Sequence, residues 1–132
     1  MLEQHAGNEL KLMLEAVKPL AMFYYCRAFN DKDLVPIADF APHVAEGLIV
    51  MEEFDPPMPS GTKATYQTTF VLYPLAAEAW RIPAMKIALT AQNENLRSPD
   101  EGIDRIIGML LGYPKAEIDA WIQSGSESGT YK

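Results

Sequence analysis

The sequence predicts a small α+β protein in which helices cover one face of an antiparallel sheet. Residues 103–111 carry apolar side chains at intervals of three and four, the spacing of a helix with one buried face. Residues 62–73 instead alternate between apolar and polar side chains, the period of a strand with one face in water. The short apolar run 48–51 is typical of a buried strand. Because the polar face of 62–73 needs no cover, helices are expected only on the other face.

The strongest local pattern is a helix that begins near residue 98. Ser98 is a favourable N-cap residue, and Pro99 suits the first helical position. Glu101 follows Ser98 by three residues, which is the spacing of a capping box. These residues predict a helix over about 99–111.

Gly112 and Pro114 mark the connection to a second helix, which is predicted over 115–123. The pair forms a helix–turn–helix hairpin, an arrangement that some proteins use to read DNA. Residues 99–122, however, hold five acidic and only two basic side chains. This charge repels phosphate groups, so DNA binding is not expected.

A β-hairpin with a long connection is predicted in the middle of the chain. Its strands are 47–54 and 62–73, and the residues between them, 55–61, hold three prolines and one glycine. This composition gives a stiff and exposed connection, which suits two antiparallel strands.

Residues 20–29 have two interpretations. The apolar spacing that begins after Asn8 continues past Pro19 and favours a kinked helix over 8–28. The four aromatic side chains within 20–29 favour a third strand instead. Because apolar residues occupy both faces of this segment, the period alone does not decide between helix and strand.

The remaining chain is predicted to be one domain with a short tail. Residues 74–92 have helical spacing that Pro83 breaks or kinks, and 30–46 is a connecting segment because two prolines interrupt it. The domain is expected to comprise residues 1–123, followed by a flexible polar tail over 124–132.

Composition and charge argue against several classes of protein. The formal net charge is −7 and the basic residues form no cluster, so neither nucleic acid nor an anionic membrane is an expected partner. No stretch is long and apolar enough to cross a membrane, and charged residues interrupt the N-terminal region where a signal peptide would lie. Cys26 is the single cysteine, so no internal disulfide can form and a reducing, cytoplasmic location is expected.

The sequence contains no motif for metal binding or nucleophilic catalysis. Its two histidines and one cysteine have no ligand spacing, although His43 lies within one helical turn of both Asp39 and Glu46. His43 is therefore a weak candidate for chemistry, and a solvated surface histidine is the simpler interpretation. Neither a nucleophile elbow nor a glycine-rich phosphate loop is present, and we expect no metal or other cofactor.

Glu52 and Glu53 are the candidates for acid–base chemistry. They end the first predicted strand, and because side chains alternate along a strand they should point to opposite faces of the sheet. One of them could then be partly buried, which would raise its pKa and suit it as a general acid or base. The competing interpretation is that both lie in solvent beside the proline-rich connection.

Aromatic side chains could also line a ligand pocket. Tyr24, Tyr66 and Trp80, with Arg81, supply hydroxyl, indole and guanidinium groups that could orient a small molecule. The same aromatic residues are equally suited to fill a core.

These observations leave two hypotheses about function. The first is a non-enzymatic module that binds a protein partner or itself, because the chain is acidic, has a stiff exposed loop and lacks a catalytic motif. The second is a small-molecule binder or enzyme that uses the aromatic pocket and a glutamate.

Overall fold

Three strands and five helices make up the part of the chain that the computed structural model describes, residues 7–63, 66–96 and 98–131. Three short 3-10 turns, at 27–29, 32–34 and 76–78, connect some of them. In chain order the elements are α1 (Glu9–Leu14), β1 (Leu20–Cys26), α2 (Ile37–Ala45), β2 (Glu52–Phe54), β3 (Thr68–Pro74), α3 (Arg81–Glu94), α4 (Glu101–Leu110) and α5 (Lys115–Glu127).

The strands form one antiparallel sheet in the order β1-β3-β2, so β3 is its central strand. Leu20 lies opposite Pro74 at one end of the β1–β3 pair, and Glu52 lies opposite Leu72 in the β2–β3 pair. The α+β fold class and the antiparallel hairpin are therefore confirmed.

The strands of the hairpin are shorter than the predicted spans 47–54 and 62–73. In the first span, Ile49 makes only an isolated bridge, to Leu75, and the ladder covers just β2. β2 ends at Phe54 because the prolines that follow it cannot donate hydrogen bonds to the ladder.

The first part of the predicted 62–73 strand forms turns instead. The backbone N–H of Thr62 donates to the carbonyl of Pro59 at 3.2 Å, and that of Tyr66 donates to Lys63 at 3.0 Å. Residues 64 and 65 lie outside the described residues. The N–H groups of Thr62 and Tyr66 are used in these turns and cannot pair with a neighbouring strand. The strand therefore begins only at Thr68.

Residues 20–26 are a strand, so the favoured prediction of a kinked helix over 8–28 is wrong and the alternative is right. α1 ends at Leu14, and β1 follows with apolar side chains on both faces. Such a strand shows no alternation because each face lies against a different layer of the protein. The strand ends at Cys26, since Arg27–Phe29 forms a 3-10 turn.

Both faces of the sheet are covered, which corrects the prediction of helices on one face. On one face, Leu20 and Leu72 pack against apolar residues of α3 and α4. On the other face, Ala21, Val71 and Tyr73 pack against a second cluster that includes residues of α1 and α2. Of the polar residues that suggested a wet face, Lys63 and Gln67 lie before β3, and Thr69, within β3, is buried.

Proline shifts the start of α3 and is tolerated inside α2. α3 begins at Arg81 rather than Pro74, since Pro74 closes β3, and Pro83 lies in its first turn, where a missing N–H breaks no helical hydrogen bond. The segment 30–46, predicted to be a connection, contains a helix, α2, which accommodates Pro42 inside it.

Asp100, not Ser98, caps α4. Its side chain accepts hydrogen bonds from the backbone N–H groups of Gly102 at 2.7 Å and Ile103 at 3.2 Å. The helix therefore begins at Glu101, and the capping box predicted between Ser98 and Glu101 does not form. Both residues are common caps, and an aspartate two residues further along competes successfully because its carboxylate also interacts favourably with the helix dipole.

α5 extends beyond residue 123, where it was predicted to end. α5 continues to Glu127, and the hydroxyl of Tyr131 donates a hydrogen bond to Asp104 of α4. The small residue Gly125 permits this return, because a Cβ at that position would lie 2.6 Å from the Tyr131 ring. Within the described part of the chain, no helix has both the length and the apolar character needed to cross a membrane.

Candidate functional site: the cleft of the α4–α5 hairpin

The connection between α4 and α5 is built on a left-handed glycine. Gly112 has φ +83°, its N–H donates to the carbonyl of Met109 at 3.0 Å, and the N–H of Tyr113 donates to Gly108 at 3.1 Å. This pair of hydrogen bonds is a Schellman motif, which ends a helix by satisfying two of its last four carbonyls. It leaves the next two carbonyls to find donors elsewhere.

Two basic side chains from other parts of the fold supply those donors. Arg81, at the start of α3, donates to the carbonyl of Leu110 at 3.1 Å. Lys18, just before β1, donates to the carbonyl of Leu111 at 2.8 Å. Cations are favourable at this end of a helix because the helix dipole is negative there. The end of α4 is therefore fixed by contacts with two other elements.

Lys18 is buried, with only 2% of its surface exposed. Its ammonium group lies 4.7 Å from the centre of the Tyr113 ring, which provides a cation–π contact. Burial lowers the pKa of Lys18 to about 8, although the nearby carboxylate of Glu9 acts in the opposite direction. Burial and the charges of Glu9 and Glu117 raise the pKa of Tyr113 to about 12.

A cleft of about 540 Å³ lies along the hairpin beside Tyr113. The side chain of Met109 is 63% exposed there, so a thioether surface faces solvent at one end of α4. Apolar groups in an open cleft are costly to hydrate, and a partner that covers them gains free energy. The lining residues are Arg105, Met109, Tyr113, Lys115 and Ile118.

The two cations of the cleft are bridged by one carboxylate. Arg105 and Lys115 each donate to Asp119 at 2.6 Å, one to each carboxylate oxygen. These hydrogen bonds, that from Lys115 first, lower the pKa of Asp119, so it stays ionised. The lining residues include no carboxyl, thiol or imidazole group. The cleft can thus bind an apolar group with a nearby negative charge, but its own lining offers no acid–base pair.

Glu52 and Glu53 lie on opposite sides of β2. Glu52 is opposite Leu72 in the sheet and forms an ion pair with Lys86 of α3. Glu53 forms an ion pair with Lys32 on the other side, at 3.8 Å. Both side chains are 40% exposed as a whole, although the Glu52 oxygen that meets Lys86 is closed to solvent.

The structure does not bring the predicted aromatic pocket together. Tyr24 is 67% exposed and its ring lies 6.0 Å from that of Phe70, near one end of the sheet. Trp80 lies beyond the other end of β3, with the Arg81 guanidinium 4.6 Å from its ring. Tyr66 is exposed in the connection before β3. None of the three lines the α4–α5 cleft.

His43 belongs to the last turn of α2, where its backbone carbonyl accepts the N–H of Leu48 at 3.1 Å. This contact gives the residue a role in ending the helix. Among residues 7–63, 66–96 and 98–131, no group of three or more histidine, cysteine, aspartate and glutamate side chains could hold a metal ion.

Sequence reasoning missed both Lys18 and Met109. A lysine between two elements gives no local signal that it will be buried, and Met109 lies on the side of α4 that the apolar stripe leaves unassigned. The sequence did identify Gly112, which positions Tyr113, as part of the connection between the two helices.

Comparison of the chain with protein-family models, with curated proteins and with solved structures finds no match.

Proposed function

We propose that this protein is a non-enzymatic interaction module that receives an amphipathic helix of a protein partner in its α4–α5 cleft. The observation that carries the proposal is an open, mainly apolar cleft of about 540 Å³. Two helices packed side by side provide a groove into which a third helix can place its side chains. The volume suits a few apolar anchor residues on one face of such a helix.

Charge indicates which kind of helix fits. The protein carries a net charge of −7, yet the charged lining residues of the cleft, Arg105 and Lys115, are both basic. A partner carboxylate could share these cations with Asp119, whereas a partner lysine would meet two like charges. We therefore expect anchors flanked by acidic residues. Cys26 is the single cysteine of the chain, which is compatible with a reducing compartment, and we place the module in the cytoplasm.

The second hypothesis, a glutamate acid or base, has less support. Glu52 and Glu53 each form an ion pair, with Lys86 and Lys32, and neither lines the α4–α5 cleft. The aromatic residues that were expected to surround a substrate lie apart.

The test uses two synthetic amphipathic helices with the same leucine face. One carries glutamates beside that face and the other carries lysines, and each has a fluorophore for anisotropy measurements. The glutamate peptide should bind with a dissociation constant at least about tenfold lower, with a salt-dependent difference between the two. Met109→Asp should abolish the binding, because it places a charge in the apolar part of the cleft.

Leu34→Asp is the matched control. Leu34 is 80% exposed and lies outside the cleft, so the same substitution there should leave the affinity unchanged. Equal affinities for the two peptides, or undiminished binding by the Met109→Asp variant, would contradict the proposal. Light scattering on the free protein should give a monomer mass. A dimer that Met109→Asp dissociates would replace the partner helix with a second copy of the chain.

A further inference from the structure

A second, smaller cleft lies between α2 and the chain that leads into β2, on the opposite face of the sheet from α3 and α4. Its volume is about 250 Å³, and it shares no lining residue with the α4–α5 cleft. A site here is therefore independent of the proposed helix-binding function. The lining residues are Ile37, Ala41, Val44, Ala45, Met51 and Tyr73.

Tyr73 is the polar residue of this lining, and it is held rigidly. Only 1% of its surface is exposed. Its ring stacks on that of Phe40, with centres 4.2 Å apart and planes 22° apart, and meets the edge of Phe23 at 6.1 Å. The central strand β3 positions its backbone. The ring contacts thus fix the position of the Tyr73 hydroxyl oxygen.

The hydroxyl of Tyr73 has no hydrogen-bond partner among the described residues. A buried hydroxyl without a partner costs free energy, because it has lost water and gained nothing in return. Phenylalanine would fill the same space without that cost. The stacking therefore explains the aromatic ring of Tyr73, and the hydroxyl requires a different explanation.

We propose that this cleft binds a small, neutral, mainly apolar molecule whose single carbonyl or ether oxygen accepts a hydrogen bond from Tyr73. The other five lining residues are apolar and suit a hydrocarbon body. The nearby carboxylate of Glu53 disfavours an anionic ligand. Burial, and to a lesser extent Glu53, raise the pKa of Tyr73, so the hydroxyl remains a donor at neutral pH.

Met51 is the side chain that can admit the ligand. It lines the cleft and is 37% exposed. Methionine changes rotamer easily and adapts to ligands of different shape. The hydroxyl oxygen of Tyr73 is buried, so a ligand can reach it only if a lining side chain moves. Met51 is the most flexible of the lining side chains.

The test is an NMR titration of the whole protein with two probes, cyclohexanone, which has an acceptor oxygen, and benzene, which has none. Both should shift backbone amide signals of residues around the cleft, including Val44 and Met51. Tyr73→Phe should weaken cyclohexanone binding at least about fivefold and leave benzene binding unchanged or tighter. The melting temperature of Tyr73→Phe should equal or exceed that of the native protein.

Two further variants keep the test decisive. Tyr24→Phe removes an exposed tyrosine hydroxyl outside the cleft and should change neither affinity. Ala41→Phe fills the cleft from an exposed position and should abolish binding of both probes. Absence of saturable shifts with cyclohexanone would overturn the proposal, as would equal cyclohexanone affinity in Tyr73→Phe. A lower melting temperature of Tyr73→Phe would also overturn it, since the hydroxyl would then have a partner within the protein.

Discussion

The ammonium group of Lys18 donates a hydrogen bond to the carbonyl oxygen of Leu111 at 2.8 Å, across 93 residues of sequence. Together with Arg81, which donates to Leu110, it completes the hydrogen bonding at the end of α4. The start of β1 and the start of α3 are thereby attached to the hairpin that forms the larger cleft. Together with the apolar core around Leu110, these two contacts hold that cleft in position relative to the sheet.

Lys18 should give the protein a characteristic pH dependence. Its pKa is about 8 in the folded protein, below the ordinary value of 10.5 that applies to the unfolded chain. Between these values the unfolded chain binds more protons than the folded protein, so the free energy of unfolding rises with pH. The full rise amounts to at most about 3 kcal/mol. Urea denaturation at pH 7.5 and pH 9.5 measures the part that is accessible before tyrosines ionise.

Lys18→Met should remove this rise, because methionine does not titrate. Lys11→Met, which changes an exposed lysine of α1, should keep it. If the free energy of unfolding of Lys18→Met rose with pH as much as that of the native protein, the rise could not be assigned to Lys18. Measurements above pH 10 are unsuitable. Tyr113 has a raised pKa in the folded protein, so it ionises first in the unfolded chain, and this lowers the free energy of unfolding as the pH rises.

Gly112→Ala should be much more damaging than Gly47→Ala. Both glycines end helices with positive φ, +83° and +80°, so alanine at either position costs about 1–2 kcal/mol in backbone strain. At Gly112 a Cβ would also overlap the ring of Pro19, whereas at Gly47 nothing lies within 4 Å. The overlap should add about 1–3 kcal/mol, which urea denaturation of the two variants resolves. Equal losses would show that Pro19 moves aside freely.

Asp100→Ala should destabilise the protein by about 1 kcal/mol, the usual value of a helix N-cap. Asp100 accepts two backbone N–H groups at the start of α4, and alanine leaves both without this acceptor. Ser98→Ala should change the free energy of unfolding by less than about 0.5 kcal/mol, since surface substitutions away from such features have small effects. The reverse order of the two losses would restore Ser98 as the cap.

Leu110→Ala should cost about 2–5 kcal/mol, the range for a large apolar side chain removed from a core. Leu110 is 7% exposed and packs in the cluster between α4 and the sheet. Ile106→Ala in the same helix is the matched control and should cost less than about 1 kcal/mol, because Ile106 is 49% exposed. Thermal denaturation separates the two. Similar losses would mean that α4 presents a different side to the core.

Local patterns were enough to predict the elements whose side chains differ between their two sides. The apolar stripe of 103–111 predicted α4, and the proline-rich segment between two apolar runs predicted the antiparallel hairpin. Alternation along a strand also placed Glu52 and Glu53 on opposite sides of β2, as their ion pairs with Lys86 and Lys32 indicate. These patterns are local, because one turn of helix or two residues of strand are enough to establish them.

Features that depend on distant residues are apparent only in the folded protein. β1 is a strand because helices cover both of its faces, and a segment that is apolar all round does not record which layers it will meet. Lys18 is buried because the end of α4, nearly a hundred residues later, offers a carbonyl and an aromatic ring. The smaller cleft likewise forms where α2 meets β3 and the chain before β2, and for that reason no single stretch of sequence predicted it.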